Sequence, residues 1–150
     1  MPWYPDLSTE DVSKFLNVGW LSSEHPFPQG EVTETEFEKL CELLVNPWNP
    51  AYPVGVHLCE LCRFSGGNGV TRFKDFQIAG YSKFDLYVPG QGIIYVAPSS
   101  IAHSVDAHQY LPPRIFLDAV MACPPMRSVD YFRALLANGG RDLVRNLKDA

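Results

Sequence analysis

Two cysteines and three histidines constrain this chain more tightly than any other feature. Cys59-Glu-Leu-Cys62 is preceded by His57 and answered, after an interval of about forty residues, by His103 and His108. Thiolates two residues apart can turn toward a single cation. Soft sulfur together with imidazole nitrogen satisfies the tetrahedral shell of zinc, with no redox penalty and no geometry imposed by its electrons. A C-x-x-C pair alone is a weak signal, and it gains weight only when a second pair of ligands is available. The sequence therefore predicts a zinc ion held by Cys59, Cys62, His103 and His108, drawing the knuckle near 59–62 to the segment near 100–109.

The second half of that site carries a geometric difficulty. Five residues on an ideal helix differ by about 140°, so His103 and His108 converge only if their helix tightens or ends early. Pro112-Pro113 immediately beyond favours an early end. In the competing reading Ile101, Val105 and His108 share an inward face, His108 is a hydrogen-bonded core histidine, and His57 replaces one imidazole as the fourth ligand. The separation of the two halves also greatly exceeds the dozen or so residues of a DNA-reading Cys2His2 finger, so the likeness is to the site chemistry alone.

Other chemistries of a close cysteine pair find less support. A redox C-x-x-C needs a thiolate lowered in pKa, commonly at a helix N-terminus within a βαβ unit, and neither context is visible. A zinc deaminase needs an H-x-E ahead of its cysteines, and none of the four histidines is followed two positions on by Glu. A zinc hydrolase acting through metal-bound water remains the alternative function, with His57 or Glu60 as proton handler. Cys41 and Cys123 lie in apolar stretches and are expected to be buried, inert thiols.

Charge and length set further limits. Seventeen acidic against twelve basic residues give a formal net charge of -5, the wrong sign for neutralising phosphates, so nucleic acids and anionic membrane surfaces are not expected partners. The longest apolar run, Gly92 to Pro98, falls far short of the roughly 20 residues that cross a bilayer. The segment Met1-Pro-Trp-Tyr-Pro-Asp shows neither a basic nor an apolar signal region, so a cytoplasmic location is expected. The 150 residues suffice for one ordinary core, and a single domain over 1–150 is the expectation.

Local signals sketch an α+β chain. Ser8 is a candidate cap for a helix over 9–16, and Thr33 with Glu36 has the spacing of a capping box ahead of a helix over 33–45. The prolines within 19–30 and 46–53 predict loops, with Trp20 and Phe27 folding over the core while His25 meets solvent. Val70–Phe73, Phe84–Val88 and Gly92–Val96 have the β-branched and aromatic content of strands. With a turn at Pro89–Gly92 they predict a small antiparallel β-meander packed by several helices and stapled by zinc. Further helices are predicted over 101–110 behind a serine cap, from Pro113 to Ala122, from Ser128 to about Ala137, and over 141–148 after an Asn138-Gly-Gly140 hinge.

Tyr4-Pro-Asp-Leu-Ser8, Asn17-Val-Gly-Trp-Leu21, His25-Pro-Phe-Pro-Gln-Gly30, Val56-His-Leu-Cys-Glu-Leu-Cys62 and the run from Ala97 to Pro113 together resemble an uncharacterised bacterial domain family. That family carries an H-x-C-x-x-C knuckle and an H-x4-H-x-Y-x-P-P helix, and is sometimes associated with toxin-immunity neighbourhoods. The resemblance implies metal binding at the Cys and His positions and no established reaction. The expectation is accordingly a zinc-binding protein with a structural site, serving as a protein-partner-binding or immunity-like module that would neutralise an antagonistic protein.

Overall fold

The computed structural model describes residues 3–9, 15–50, 56–62 and 69–148. In chain order the elements are β1 (Leu16–Asn17), α1 (Glu34–Val45), β2 (Val70–Phe73), β3 (Phe76–Ala79), β4 (Asp85–Pro89), β5 (Ile94–Pro98), α2 (Ile101–His108), α3 (Arg114–Ala122), α4 (Val129–Ala137) and α5 (Arg141–Lys148). The α+β class expected from the sequence is the class observed.

β5 is the centre of the larger sheet, and all five of its residues are buried. A strand covered on both faces has no reason to alternate, which is why Ile94-Tyr-Val-Ala-Pro98 reads as a continuous apolar run. β1 pairs with it in parallel, Leu16 opposite Tyr95, and β4 pairs antiparallel, Tyr87 opposite Val96. The turn between β4 and β5 falls at the expected Pro89–Gly92 segment and is closed by the Gly90 N–H donating to the Ile93 carbonyl at 2.8 Å. A Cβ at Gly90 would lie 2.6 Å from Cε2 of Tyr95, so only glycine allows the ring to pack against this turn.

The strands form two hairpins rather than one three-stranded run. Val70–Phe73 pairs with Phe76–Ala79, Phe73 opposite Phe76, and not with Asp85–Pro89. The turn between them is two residues, with Lys74 in the left-handed region at φ 52°. A lysine there is no turn signal, so the return strand was not visible in the sequence.

Helix starts follow their caps. The Glu36 N–H donates to Thr33 Oγ1 at 3.2 Å and the Thr33 N–H donates back to the Glu36 carboxylate at 3.1 Å, the two halves of the capping box. Ser128 Oγ accepts from the Tyr131 N–H at 3.1 Å and starts α4, and Pro113 stands at the N-cap of α3. Gly140 turns the chain into α5, where a Cβ would lie 2.7 Å from the Leu135 carbonyl oxygen. Ser100 sits at the start of α2 without a side-chain cap, while the neighbouring Ser99 Oγ accepts from the Lys83 and Phe84 N–H groups. Of the helix expected over 9–16, residues 10–14 lie outside the described residues. Leu16 belongs to β1, and Ser8 forms a bridge with Asn17 instead of a helix cap.

The core gathers Leu40, Leu43, Leu86, Ile94, Tyr95, Ile101, Tyr110, Phe116 and Tyr131, each at most 1% exposed. Two of its aromatic polar ends find partners where they enter it: the Tyr131 hydroxyl donates to the Tyr87 carbonyl at 2.7 Å and Trp20 Nε1 to the Val96 carbonyl at 3.0 Å. Cys41 and Cys123 are buried as expected, and burial pushes both thiols up to about 12. No helix of the described residues is long and apolar enough to cross a membrane.

α1 and α3 are joined by an ion pair between the Arg114 guanidinium and Glu36, whose residue is 7% exposed. The guanidinium, aided by the Thr33 groups and opposed by burial, holds the Glu36 carboxyl below the usual carboxylate range. The unfolded chain thus takes up this proton at a higher pH than the native one. The contribution to stability is complete above the ordinary carboxylate pKa and is lost as pH falls through the depressed native value. Chemical denaturation across pH is expected to show Glu36→Gln less stable than the parent by about 1 kcal/mol at neutral pH. The two curves are expected to converge toward acid, and parallel curves would contradict this role.

Candidate metal centre

The knuckle is fixed from behind by backbone pairing. The His57 N–H donates to the Ser82 carbonyl and the Ser82 N–H to the His57 carbonyl, both at 2.9 Å, an isolated antiparallel bridge that orients the chain two residues ahead of Cys59. Within the knuckle the Glu60 carboxylate accepts from the Ser23 N–H at 3.3 Å, and Leu61 packs against the core. Val56 and Leu58 face outward, 52% and 60% exposed. The two half-buried thiols point the other way, toward α2.

α2 is anchored by Ile101 and Ala102, both fully buried, which places His103 inside at 6% exposure. The helix stops at His108 because Gln109 adopts the left-handed conformation, φ 54° and ψ 32°. The Gln109 and Tyr110 N–H groups both turn back to the Ser104 carbonyl. Side chains lean toward the N-terminus of their helix, so an imidazole on the last residue tilts back over the turn that carries His103. The ring centroids of His103 and His108 are 5.1 Å apart with planes at 81°. The early end removes the angular difficulty that the five-residue spacing raised.

The helix end is braced by parts of the chain that carry no ligand. Gln29 Nε2 donates to the His108 carbonyl at 3.2 Å, the Gly30 N–H to the Gln109 carbonyl at 3.0 Å, and the Leu111 N–H to the Pro28 carbonyl at 3.0 Å. The Tyr110 hydroxyl donates to Asp6 at 2.8 Å, and the other oxygen of that carboxylate accepts from the Gly19 N–H at 3.0 Å. Sequence reasoning missed this brace. The Pro-rich loop showed only that it is not helical, and nothing local links Asp6 to Tyr110.

Together these elements bring Cys59 Sγ and Cys62 Sγ each to 3.4 Å from His108 Nε2, with Cys62 Sγ at 3.2 Å from His103 Nε2. One donor atom from each of the four residues lies within 4.8 Å of every other. A tetrahedral ion with bonds of about 2.3 Å to sulfur and about 2.0 Å to nitrogen sets S···N separations of about 3.5 Å. The observed spacings are close to that value, so these four residues can hold a metal ion. His57, the alternative fourth ligand, stands outside the cluster and contributes its backbone. His25 meets solvent as expected, but one face of its ring is covered by Trp3, stacked at 3.8 Å with planes at 8°.

Electrostatics favour a cation between these groups. Burial lowers the pKa of His103, with the neighbouring His108 adding to the effect and Asp106 opposing it, and burial also lowers that of His108. Burial raises the Cys59 thiol, with Cys62 beside it adding to the rise. Neutral imidazoles keep their ring nitrogens free to coordinate, and a bound cation would compensate the Cys59 thiolate that burial disfavours, at the expense of a released proton.

The family model described as Domain of unknown function (DUF7919) matches residues 3–121. The chain belongs to this family. All four clustered residues, the knuckle and the bracing segments lie inside the DUF7919 match, whereas α4 and α5 lie beyond it. No curated protein and no solved structure matches the chain.

Proposed function

We propose that this DUF7919 chain binds one zinc ion through Cys59, Cys62, His103 and His108, and that the ion is a structural staple joining the 56–62 knuckle to α2. The observation that carries the reading is the mutual proximity of the four donor atoms, all within 4.8 Å. Two thiolates and two imidazoles are the donor set that selects zinc over the hard cations magnesium and calcium, which take oxygen. Four protein ligands fill a tetrahedral shell and leave no position for a reactive water, and Glu60 is engaged with Ser23. The staple is therefore favoured over a hydrolase.

Metal analysis of the purified protein is expected to give one zinc per chain. Cys59→Ser and His108→Ala should each lose it, while His57→Ala keeps it. Stripping the metal with a chelator should lower the unfolding temperature, because zinc bound only by the native chain adds its binding free energy to folding. Zinc-free wild-type protein, or loss of zinc from His57→Ala with retention in His108→Ala, would end this reading.

We further propose that the stapled knuckle presents a docking surface for a protein partner, in the manner of a bacterial immunity module. Support comes from Val56 and Leu58, held outward on a segment whose other side is tied down, and from a net charge of -5 that would favour a basic target. A reduced thiol pair fits the cytoplasm. A photo-crosslinking residue at position 58 is expected to trap one defined partner in the native host, whereas one at the exposed Glu42 is not. Equal trapping at both positions would refute the docking surface.

A further inference from the structure

The ligands of the candidate metal centre divide by chemistry as they divide by segment. Both sulfurs, of Cys59 and Cys62, belong to the knuckle, and both imidazoles, of His103 and His108, belong to α2. An ion joins the two segments only while the knuckle offers thiolates. A reaction that pairs the sulfurs with each other therefore removes the knuckle's whole share of the site at once. It adds no cross-link in exchange, because a disulfide between Cys59 and Cys62 closes within the knuckle and reaches nothing on α2. Interleaved ligands, one cysteine and one histidine on each segment, would do the opposite, since oxidation would then fasten the segments covalently.

The two sulfurs are placed for that reaction. They lie within 4.8 Å of each other and belong to half-buried residues. Cys41 and Cys123, at 0% and 3% exposure, are enclosed in the core. Catalytic C-x-x-C pairs obtain a thiolate from a helix N-terminus, whereas a coordinating ion deprotonates a thiol outright, and the thiolate is the form that oxidants attack. Where zinc occupies this site, as proposed, we infer that Cys59 and Cys62 form a peroxide-sensitive release, which discharges the ion and detaches the knuckle from α2. One thiolate attacks a peroxide oxygen, the O–O bond breaks, and the sulfur becomes a sulfenic acid while the departing oxygen takes up a proton and leaves as water. The second thiolate attacks that sulfur, the S–S bond forms, and the hydroxyl leaves with another proton as a second water. Two electrons pass from the sulfurs to the peroxide, and the ion departs with its charge unchanged. The knuckle keeps the bridge from His57 to Ser82, the contact from Glu60 to Ser23 and the packing of Leu61, and loses its tie to α2.

Graded hydrogen peroxide added to the zinc-loaded protein tests this, with released metal read by a chromogenic chelator and the thiols read by mass spectrometry. Zinc is expected to leave in step with the loss of two hydrogens from a peptide spanning 59–62, while Cys41 and Cys123 stay reduced. Dithiothreitol with added zinc should restore the parent protein. Limited proteolysis within 56–62 should run at least about 10-fold faster after oxidation and slow again on reduction. Cys62→His keeps four ligands but has no second sulfur to pair, so its zinc should leave at least about 10-fold more slowly under peroxide. Should that variant fail to hold zinc, the double variant Cys41→Ala, Cys123→Ala is expected to release zinc and close the same disulfide as the parent does. Zinc-free wild-type protein, seen before any oxidant is added, ends the zinc reading and this inference together. Zinc retained under peroxide, zinc released while the cysteines pair elsewhere or stop at higher oxidation states, or Cys62→His discharging as fast as the parent would overturn the release and leave the staple standing.

Discussion

The convergence of two sulfurs and two imidazole nitrogens on one point is the constraint on which the outer half of this structure depends. Among the described residues the knuckle is otherwise held by a backbone bridge to Ser82, a contact from Glu60 to Ser23, and the packing of Leu61. Each such hydrogen bond contributes about 1 kcal/mol net, whereas structural zinc in small finger peptides contributes about 10–16 kcal/mol. On the zinc reading the cation, not the local contacts, decides whether residues 56–62 are attached to α2. Without a cation the same cluster is two imidazoles and two thiols held together by weak sulfur–nitrogen contacts.

The core does not share that dependence. β5 lies between β1 and β4, α3 and α4 pack on β4, and Leu40, Phe116, Leu135 and Tyr131 from α1, α3 and α4 are buried in one core. α2 is where the two halves meet. Its first turn, with Ile101 and Ala102, belongs to the core, and its last residue carries a ligand. The brace from Asp6, Gln29 and Gly30 fixes that last turn from outside. The position of His108 is thereby set largely by the protein, and a cation arriving there meets donors already arranged, which reduces the ordering cost of binding.

How much of this could be read in the sequence depended on the range of the interaction. Caps at Thr33 and Ser128 and the turn at Pro89–Gly92 act within a few residues, and the corresponding elements appear where the local pattern put them. The four clustered residues were legible because metal-ligand chemistry is carried by few residue types with characteristic spacing. What escaped was long-range or atypical. The parallel pairing of Leu16–Asn17 with β5 is two residues long and joins Leu16 to Tyr95 and Asn17 to Val96, far apart in the sequence and with nothing local to announce it. The left-handed residues that shape the β2–β3 turn and the end of α2 are Lys74 and Gln109, neither of which signals that conformation as glycine does. The Asp6–Tyr110 bond joins residues 104 positions apart.

X-ray absorption at the zinc edge of the purified protein tests the central claim most directly, because it reads the ligand atoms around the metal itself. The account requires a four-coordinate shell of two sulfurs at about 2.3 Å and two imidazole nitrogens at about 2.0 Å. A shell of nitrogen and oxygen alone, or one in which Cys59→Ser leaves the sulfur count unchanged, would contradict it.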